Sequence, residues 1–401
     1  MELIDKPTSE FIHEHRTDDV RKLAFAADKY PSVDMPLALD QIQGWQTARH
    51  KLPSWAATDG IVYPPHLNME QCSSEATARY KAALLQKMGA CGLLVDLTGG
   101  FGVDFSFMSQ CARHAVYVEQ NPKLCTIAAH NFELLGLDNT EIVNATSYAL
   151  PDGVADAVVY LDPARRDSHG NRVYNIADCQ PNAVELAPKL LEKAQKVIIK
   201  LSPMFDWHEA VRELPCVSEV HIVSVDNECK ELLVVLSRQK EDASIIEVHC
   251  VNDGFDYKFR FTEGVADPLS VPAISEEMPR PDMTLFVPNA SVMKAGCFGY
   301  VANSYCLSPI GRDSHLFVSN ADIMPFPGRR FEIMAVSSMN KKELRRNLQG
   351  IDRANIAVRN FPMTVPALRK RLKIADGGDV YIFATTVADG SHVLIISKKI
   401  L

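Results

Sequence analysis

The sequence contains no apolar run long enough to cross a membrane. Its longest runs, such as Val197–Ile199 and Leu232–Leu236, have the length of strands, whereas a membrane helix needs about 18 residues. The N-terminal segment is rich in acidic side chains and lacks the apolar core of a secretory signal. The ten cysteines never form a Cys-x-x-Cys pair, and the twelve histidines show no metal-ligand spacing. We therefore expect a soluble, cytoplasmic protein with no membrane contact, no bound metal and no disulfide framework.

The composition is that of an ordinary globular protein with an uneven charge distribution. Hydrophobic residues make up 47% of the 401 positions, enough for two or three cores. The net charge is −8, but twelve basic residues face only three acidic ones between Arg329 and Lys373, a local balance of +9 that leaves −17 for the remainder. A protein that is basic throughout is excluded. Any polyanion such as RNA should contact the C-terminal part.

Hydrophobic periodicity predicts an α/β protein. Residues 1–90 show helical periodicity interrupted by prolines, which predicts a helical N-terminal lobe. The region 91–240 alternates short apolar runs with helix-length segments, and the five predicted strands are Gly92–Leu97, Ala115–Glu119, Thr140–Asn144, Asp156–Leu161 and Lys196–Leu201. This alternation predicts a parallel sheet with helices on both faces. Two further strands, Ser218–Val225 and Glu231–Ser237, are joined too closely for a crossover helix, so they should be antiparallel neighbours.

The C-terminal third is predicted to hold a connecting region and a small α+β domain. A hairpin over Ile245–Val251 and Tyr257–Thr262, followed by a proline-rich linker from Asp267 to Pro288, forms a β-rich connecting region over 241–328. The domain 329–401 alternates strands with two basic helices. Its candidate RNA contacts are Lys341, Lys342, Arg345, Arg346, Arg369, Lys370 and Arg371. A solvated helix face is the alternative interpretation of these residues.

A glycine-rich turn follows the first predicted strand. A dinucleotide site requires Gly-x-Gly-x-x-Gly, and Phe105 occupies the place of the third glycine. The alternative pattern, Asp-x-x-x-Gly-x-Gly, is met by Asp96, Gly100 and Gly102, with Thr98 inside the turn. It suits S-adenosylmethionine (SAM), a cation that has no phosphate. The sequence therefore favours a SAM site at this turn.

Other positions are candidates to complete the cofactor site. Glu119 closes the second strand, where a carboxylate can accept hydrogen bonds from a ribose, although NAD would use it equally well. Asn144 ends the third strand and is placed to reach an adenine, with an ordinary loop asparagine as the alternative. The segment Glu70–Tyr80 is predicted to be one helix over the cofactor. Gln71, Ser73 and Ser74 on it are candidates to contact the methionine tail, or are plain surface residues.

The fourth predicted strand ends in Asp162-Pro163-Ala164-Arg165. At this topological position the carboxyl end of a parallel sheet lies beside the cofactor, so Asp162 could orient or deprotonate a methyl acceptor. Arg165 could stack on a base or bind a phosphate. Asp162, Pro163 and Arg165 are therefore the candidate catalytic residues, and a simple turn is the alternative.

These segments resemble the class I SAM-dependent methyltransferases, and more closely a bacterial group with a C-terminal THUMP-like domain. The resemblance is carried by Asp96–Asp104, Asp162–Asp167, Val197–Pro203, Glu70–Glu75 and Phe326–Arg329. It implies a Rossmann-like sheet ending in an antiparallel hairpin, a ferredoxin-like or THUMP-like C-terminal domain, a SAM site and an acceptor in structured RNA, either rRNA or tRNA.

The motif departs from better-understood RNA enzymes. Ala164 and Arg165 stand where amino-methylating enzymes usually carry proline and an aromatic residue. No cysteine lies between Cys125 and Cys179 or between Cys179 and Cys216, which disfavours a C5-methylating cysteine nucleophile. An RNA-binding protein with an inactive methyltransferase fold is the main alternative. A nicotinamide dehydrogenase is the weaker one. The oligomeric state is not predicted.

Overall fold

The computed structural model describes residues 3–147, 149–150, 156–164, 175–239, 244–264, 278–321 and 323–400. The chain forms two compact units. The first contains Met1–Val220 and Lys230–Ala243, and the second contains His221–Cys229 and Ser244–Leu401. None of the helices in the described ranges is both long and apolar enough to span a bilayer.

The first unit begins with six helices. They are α1 (Lys6–His15), α2 (Val20–Phe25), α3 (Met35–Lys51), α4 (Pro53–Ala56), α5 (His66–Gln71) and α6 (Glu75–Lys87). Residues 3–90 contain no strand, as predicted. Side chains of Asp5 and Asp34 accept backbone N–H groups at the starts of α1 and α3, which satisfies donors that a helix leaves unpaired. Trp55 packs against Phe101 of the glycine-rich turn, with ring centroids 4.8 Å apart.

The structure corrects the predicted single helix over Glu70–Tyr80. Helix α5 ends at Gln71, and Cys72 and Ser74 have extended backbone conformations. The Ser74 hydroxyl accepts the N–H of Thr77 at 3.3 Å and begins α6. A serine followed by a new helical turn acts as an N-cap, and this local hydrogen bond interrupts the helical periodicity.

The sheet of the first unit has the predicted topology. Its strands are β1 (Cys91–Asp96), β2 (Ala112–Glu119), β3 (Thr140–Asn144), β4 (Ala157–Leu161), β5 (Lys196–Leu201), β6 (Val217–Val225) and β7 (Glu228–Ser237), in the order β3-β2-β1-β4-β5-β7-β6. Strands β1 to β5 are parallel, and β7 runs antiparallel to β5. Strand β6 runs from the first unit into the second.

Helices cover the sheet and bury its central strands. They are α7 (Val103–Met108), α8 (Pro122–Leu134), α9 (Ala183–Leu191) and α10 (Trp207–Glu213). Every residue of β1 and β4 is buried, as expected for a parallel sheet covered on both faces. Phe105, Tyr117 and Phe132 form the aromatic centre of this core. The carboxyl ends of β1, β2 and β4 meet at one edge, where ligands bind in sheets of this type.

The second unit contains a hairpin and a seven-stranded sheet. The hairpin joins β8 (Ile245–Asn252) and β9 (Phe255–Thr262), as predicted. The sheet contains β10 (Thr284–Pro288), β11 (Ser308–Pro309), β12 (Phe317–Ser319), β13 (Gly328–Ser338), β14 (Asn355–Arg359), β15 (Val380–Thr386) and β16 (His392–Lys399), in the order β11-β12-β10-β13-β16-β15-β14. Its helices are α11 (Ala290–Ala295), α12 (Phe298–Ser304), α13 (Lys341–Asn347) and α14 (Val365–Leu372).

The predicted linker is wrong at its C-terminal end. Residues 265–277 lie outside the described ranges, but β10 occupies the last positions of the passage and pairs antiparallel with both β12 and β13. Short strands flanked by prolines give little periodicity, and the pairing partners follow later in the sequence. The region before the small α+β domain therefore extends its sheet by three strands.

Both basic helices lie on one face of this sheet. Leu344 of α13 and Leu368 of α14 pack into the same apolar cluster, with Ile382 and Leu394 from the central strands. The opposite face is covered by a second cluster that includes Leu285 and Phe331. The cationic side chains of α13 and α14 consequently belong to a single layer.

Candidate functional site

The glycine-rich turn leaves an open surface beside Gly100. Gly100 has φ +56°, and its N–H donates to Oε2 of Glu119 at 2.9 Å. A Cβ at this position would find the Thr98 carbonyl oxygen at 3.7 Å as its nearest neighbour, so the space above it is free. Gly102 differs, because a Cβ there would lie 2.7 Å from the Phe132 ring. Gly102 serves packing, whereas Gly100 allows a ligand to approach the backbone.

Asp96 and Asp162 are connected through Thr98. The Asp96 carboxylate accepts the Thr98 amide at 2.9 Å and the Thr98 hydroxyl at 3.2 Å. The same hydroxyl accepts the N–H of Asp162 at 2.7 Å. Asp96 is only 2% exposed, and burial raises its pKa to about 8, with the nearby carboxylates of Asp104 and Asp162 adding to the shift. A cationic ligand would stabilise the ionised form of this buried side chain.

Glu119 and Asn144 hold the loop that follows β2. Oε1 of Glu119 accepts the N–H of Asn121 at 2.8 Å, and Oε2 accepts Gly100, so each oxygen keeps a lone pair for a ligand hydroxyl. The Asn144 amide donates to the carbonyls of Glu119 and Gln120 at 2.8 and 3.1 Å. Asn144 therefore has a structural role here, and its contact with an adenine stays a prediction.

The residues before α6 differ in what they contact. Gln71 is exposed at the end of α5, and the Ser74 hydroxyl caps α6. Ser73 is buried and donates to Oδ2 of Asp104 at 2.8 Å. Ligand contacts of Gln71 and Ser74 stay predictions. Ser73 connects the segment to charged residues that lie beneath the turn.

These charged residues form a buried cluster that we call the charge cluster, consisting of Lys81, Asp104, Lys200 and Glu231. The Lys81 ammonium is fully buried and lies 2.6 and 2.7 Å from the two carboxylate oxygens of Glu231 and 3.1 Å from Asp104. The Tyr160 hydroxyl donates to Asp104 at 2.7 Å. Burial alone would raise the pKa of Asp104, but the two ammonium groups bring it down to about 2.

Lys200 connects the charge cluster to Asp162. Its Nζ lies 2.5 Å from Oδ2 of Asp162, 3.2 Å from the Ser73 hydroxyl and 3.6 Å from Asp104. Burial opposes the charge on Lys200, yet the carboxylates of Asp162 and Asp104 raise its pKa. Burial raises the pKa of Asp162, and Lys200 opposes that shift. Asp162 is thus a carboxylate with one ammonium partner at the open edge of the sheet.

The charge balance of this region suits SAM. The carboxylates of Asp104, Asp162 and Glu231 face two ammonium groups, which leaves a surplus of negative charge. Asp96, whose pKa burial raises to about 8, would add a further negative charge when it loses its proton beside a cation. SAM carries a net positive charge and has ribose hydroxyls that Glu119 can receive. The free space above Gly100, the acceptors on Glu119 and the surplus of carboxylates all fit this cofactor.

The catalytic candidates are only partly described. Asp162 is 35% exposed as a side chain, Pro163 is buried, and Arg165 lies outside the described residues. Sequence reasoning missed Lys81, Asp104, Lys200 and Glu231. A signal existed for one of them, since Lys200 interrupts the apolar strand Lys196–Leu201, in which a charge is unexpected.

The predicted RNA contacts divide into exposed and structural residues. The exposed residues are Lys341, Lys342, Arg345, Arg346, Lys370 and Arg371. Arg369 instead pairs with Asp376 at 2.5 Å and donates to the carbonyl of Ala354 at 3.2 Å. Its charge is neutralised and it holds the end of α14. The other six remain candidate RNA contacts.

Proteins similar to this chain carry the names of methyltransferases. An uncharacterized S-adenosylmethionine-dependent methyltransferase of Mycobacterium tuberculosis is 25% identical over 330 residues, which cover 80% of this chain and 84% of the relative, and the same match occurs in a second strain. The crystal structure of a candidate methyltransferase from Porphyromonas gingivalis W83 is 28% identical, with a TM-score of 0.82 and 100% coverage of both chains. Family profiles match residues 285–327 as a ferredoxin-like domain and residues 328–399 as THUMP domain-like.

On these matches the chain is classed with the SAM-dependent methyltransferases. Its first unit has their Rossmann-like sheet, and its C-terminal part carries a ferredoxin-like segment followed by a THUMP-like domain. The predicted fold and cofactor are confirmed at this level. The roles of individual site residues and the predicted domain boundaries stay predictions.

Proposed function

We propose that this protein transfers a methyl group from SAM to a base in structured RNA, either rRNA or tRNA. The observation that carries the proposal is the connection of Asp96 to Asp162 through Thr98 at the carboxyl edge of the sheet. This connection would fix a carboxylate on the acceptor side at a set distance from the cofactor side. Such fixed placement is what methyl transfer requires, because the two reacting groups must approach in line.

Cofactor binding is assigned to three positions at the carboxyl edge of the sheet. Asp96 would face the cationic end of SAM, the backbone at Gly100 would pass beneath the ligand, and Glu119 would accept the ribose hydroxyls. These assignments are supported by the burial of Asp96, the free space above Gly100 and the unfilled lone pairs of Glu119. Because its pKa is raised, Asp96 holds a proton in the free protein. A bound cation would replace this proton, and the nearby carboxylates would favour that cation as well.

The chemistry is assigned to Asp162. SAM supplies a methyl group whose bond to sulfur breaks with its electron pair remaining on sulfur, while a lone pair of the acceptor forms the new bond to carbon. The acceptor then loses a proton, and Asp162 would accept its hydrogen bond or the proton itself. Burial and the Lys200 ammonium keep this carboxylate oriented.

The RNA acceptor is supported by the second unit. Six exposed cationic side chains on α13 and α14 lie on one layer of a THUMP-like domain, in a chain that is otherwise acidic. Phosphate contacts supply most of the affinity of proteins for structured RNA, and such a layer provides them. An RNA-binding protein without turnover is the alternative. Asp162, which is 35% exposed and has Lys200 as its ammonium partner, argues against it.

Loss of one methylated nucleoside is the direct test. RNA from a strain that lacks the gene is digested to nucleosides and compared by mass spectrometry with RNA from the parent strain. We expect one methyl mark to disappear, to return with the wild-type gene and to stay absent with a gene encoding Asp162→Asn. An unchanged set of methylated nucleosides would contradict an RNA acceptor, and restoration by the variant would contradict the role of Asp162.

A further inference from the structure

The charge cluster leaves one cation for Asp162. Lys81 contacts both oxygens of Glu231 and also Asp104, so its charge serves the interior of the cluster. Lys200 lies at its outer end, with Nζ closest to Asp162. Only 12% of the Lys200 side chain is exposed, whereas 35% of Asp162 is. The lysine therefore supports the carboxylate from the inside, and the carboxylate faces the open edge.

The contact between Lys200 and Asp162 involves one of the two carboxylate oxygens. Lys200 approaches Oδ2 of Asp162, and the Asp162 backbone N–H is held by Thr98. Among the described residues these contacts leave Oδ1 available to an acceptor. A carboxylate that already has an ammonium partner has little electrostatic attraction left for a second cation, but it still accepts a hydrogen bond from a neutral N–H or O–H group.

We propose that Lys200 is a positioning residue that holds Asp162 as a neutralised ion pair, so that the site takes an uncharged N–H or O–H acceptor and disfavours a cationic one. This inference rests on the proposed function, which puts Asp162 on the acceptor side. It deepens that function by naming the charge of the acceptor. The choice is chemically consistent, because a nucleophile needs a free lone pair and a protonated amine has none.

The test compares two ligands that differ in charge at the methyl position. S-adenosylhomocysteine has an uncharged sulfur there. In sinefungin a carbon replaces the sulfur and carries an amine, which is cationic near neutral pH, in place of the methyl group. Calorimetry gives the affinity of both ligands for each variant of the full chain, and the ratio of the two affinities reports how strongly the site attracts a cation. No RNA substrate is needed.

We expect Lys200→Met to raise the preference for sinefungin at least tenfold, because Asp162 loses its partner. Lys200→Arg keeps a cation and should retain the wild-type ratio. Adding Asp162→Asn to Lys200→Met should remove the increase. Lys196→Met is the matched control, since Lys196 begins the same strand and lies 3.9 Å from Glu219 instead. Binding of S-adenosylhomocysteine verifies that each variant is folded, and Lys200→Gln replaces the methionine variant if that one fails.

The outcomes separate the two proposals. If Lys200→Met and Lys200→Gln leave the ratio within twofold of wild type while Asp162→Asn lowers it, Asp162 faces the methyl position but Lys200 does not neutralise it, and the inference is wrong. If no variant changes the ratio, Asp162 does not face the methyl position. The acceptor role of Asp162 then fails as well. If neither S-adenosylhomocysteine nor sinefungin binds to the wild-type protein, the proposed function itself is wrong.

Discussion

Asp96 should destabilise the free protein and yet be required for cofactor binding. An aspartate in the unfolded chain titrates near 3.8, whereas burial raises the pKa of Asp96 to about 8 in the folded state. Because the pKa is higher in the folded state, the protonated Asp96 side chain favours folding. Its contribution to the free energy of unfolding is fully present below about pH 4 and is lost as the pH rises towards 8. Each pH unit in this window costs about 1.4 kcal/mol, which gives an upper value of about 4 kcal/mol at pH 7.

The substitution Asp96→Asn removes this titration. Asparagine can still accept the Thr98 amide through its side-chain oxygen, so the turn should be retained. We expect the ligand-free variant to melt at a higher temperature than wild type at pH 7.5, by about 2–4 °C for each kcal/mol gained, and the difference to shrink to less than half at pH 5. SAM should narrow this difference, because it stabilises the wild-type protein more than the variant.

Ligand-induced stabilisation provides the second half of this test. At a hundredfold excess over its dissociation constant, SAM should stabilise the wild-type protein by about 2.7 kcal/mol, and it should shift the variant very little. Calorimetry of SAM binding to wild type at pH 7, in buffers of different ionisation enthalpy, should also detect release of close to one proton. A variant that melts like wild type at both pH values, or that retains the SAM-induced shift, would refute the reasoning.

Further predictions follow from individual contacts. Lys81→Met should destabilise the protein by about 3–5 kcal/mol in chemical denaturation, because it removes the ammonium group that contacts both oxygens of the buried Glu231, and adding Glu231→Gln should restore part of the loss. Gly100 and Gly102 both have a left-handed backbone, so alanine strains either position. Gly102→Ala should lower the melting temperature further through its clash with the Phe132 ring, whereas Gly100→Ala should lower it less and weaken SAM at least tenfold in calorimetry. Reversing Arg345 and Arg346 to glutamate should weaken RNA binding and flatten its logarithmic salt dependence by about 0.7 for each lost phosphate contact.

The last of these predictions has a matched control in the N-terminal lobe. Arg21 and Lys22 are also adjacent, exposed and helical, but they lie on α2 and not in the basic layer. Reversing them should leave both RNA affinity and its salt dependence unchanged in filter binding. Equal effects of the two double variants would indicate nonspecific attraction by net charge, and the basic helices would then be a solvated face.

The sequence predicts the sheet well because its strands and helices are regular and local. The strands Thr140–Asn144 and Lys196–Leu201 have the predicted bounds, and the order of β1 to β5 follows from alternation with helices. The cofactor turn is also local, since Asp96, Gly100 and Gly102 lie within seven consecutive residues. Such features depend on neighbours along the chain, which a single sequence displays.

The charge cluster could not be predicted in the same way. Lys81 and Glu231 are separated by 150 positions, and a lysine on an amphipathic helix is normally exposed. The short strands β10 to β12 were missed for a similar reason, because each is stabilised by pairing and not by its own periodicity. The break before α6 depends on one hydroxyl, that of Ser74.

Transfer of labelled methyl groups from SAM to RNA tests the central claim most directly. The purified protein is incubated with tritiated SAM and RNA from a strain lacking the gene, under single-turnover conditions, and the label in RNA is counted. We expect the wild-type protein to label RNA, and Asp162→Asn to do so at least a hundredfold more slowly while binding SAM within twofold of wild type. No label with the wild-type protein, or equal rates for the two proteins, would contradict the account.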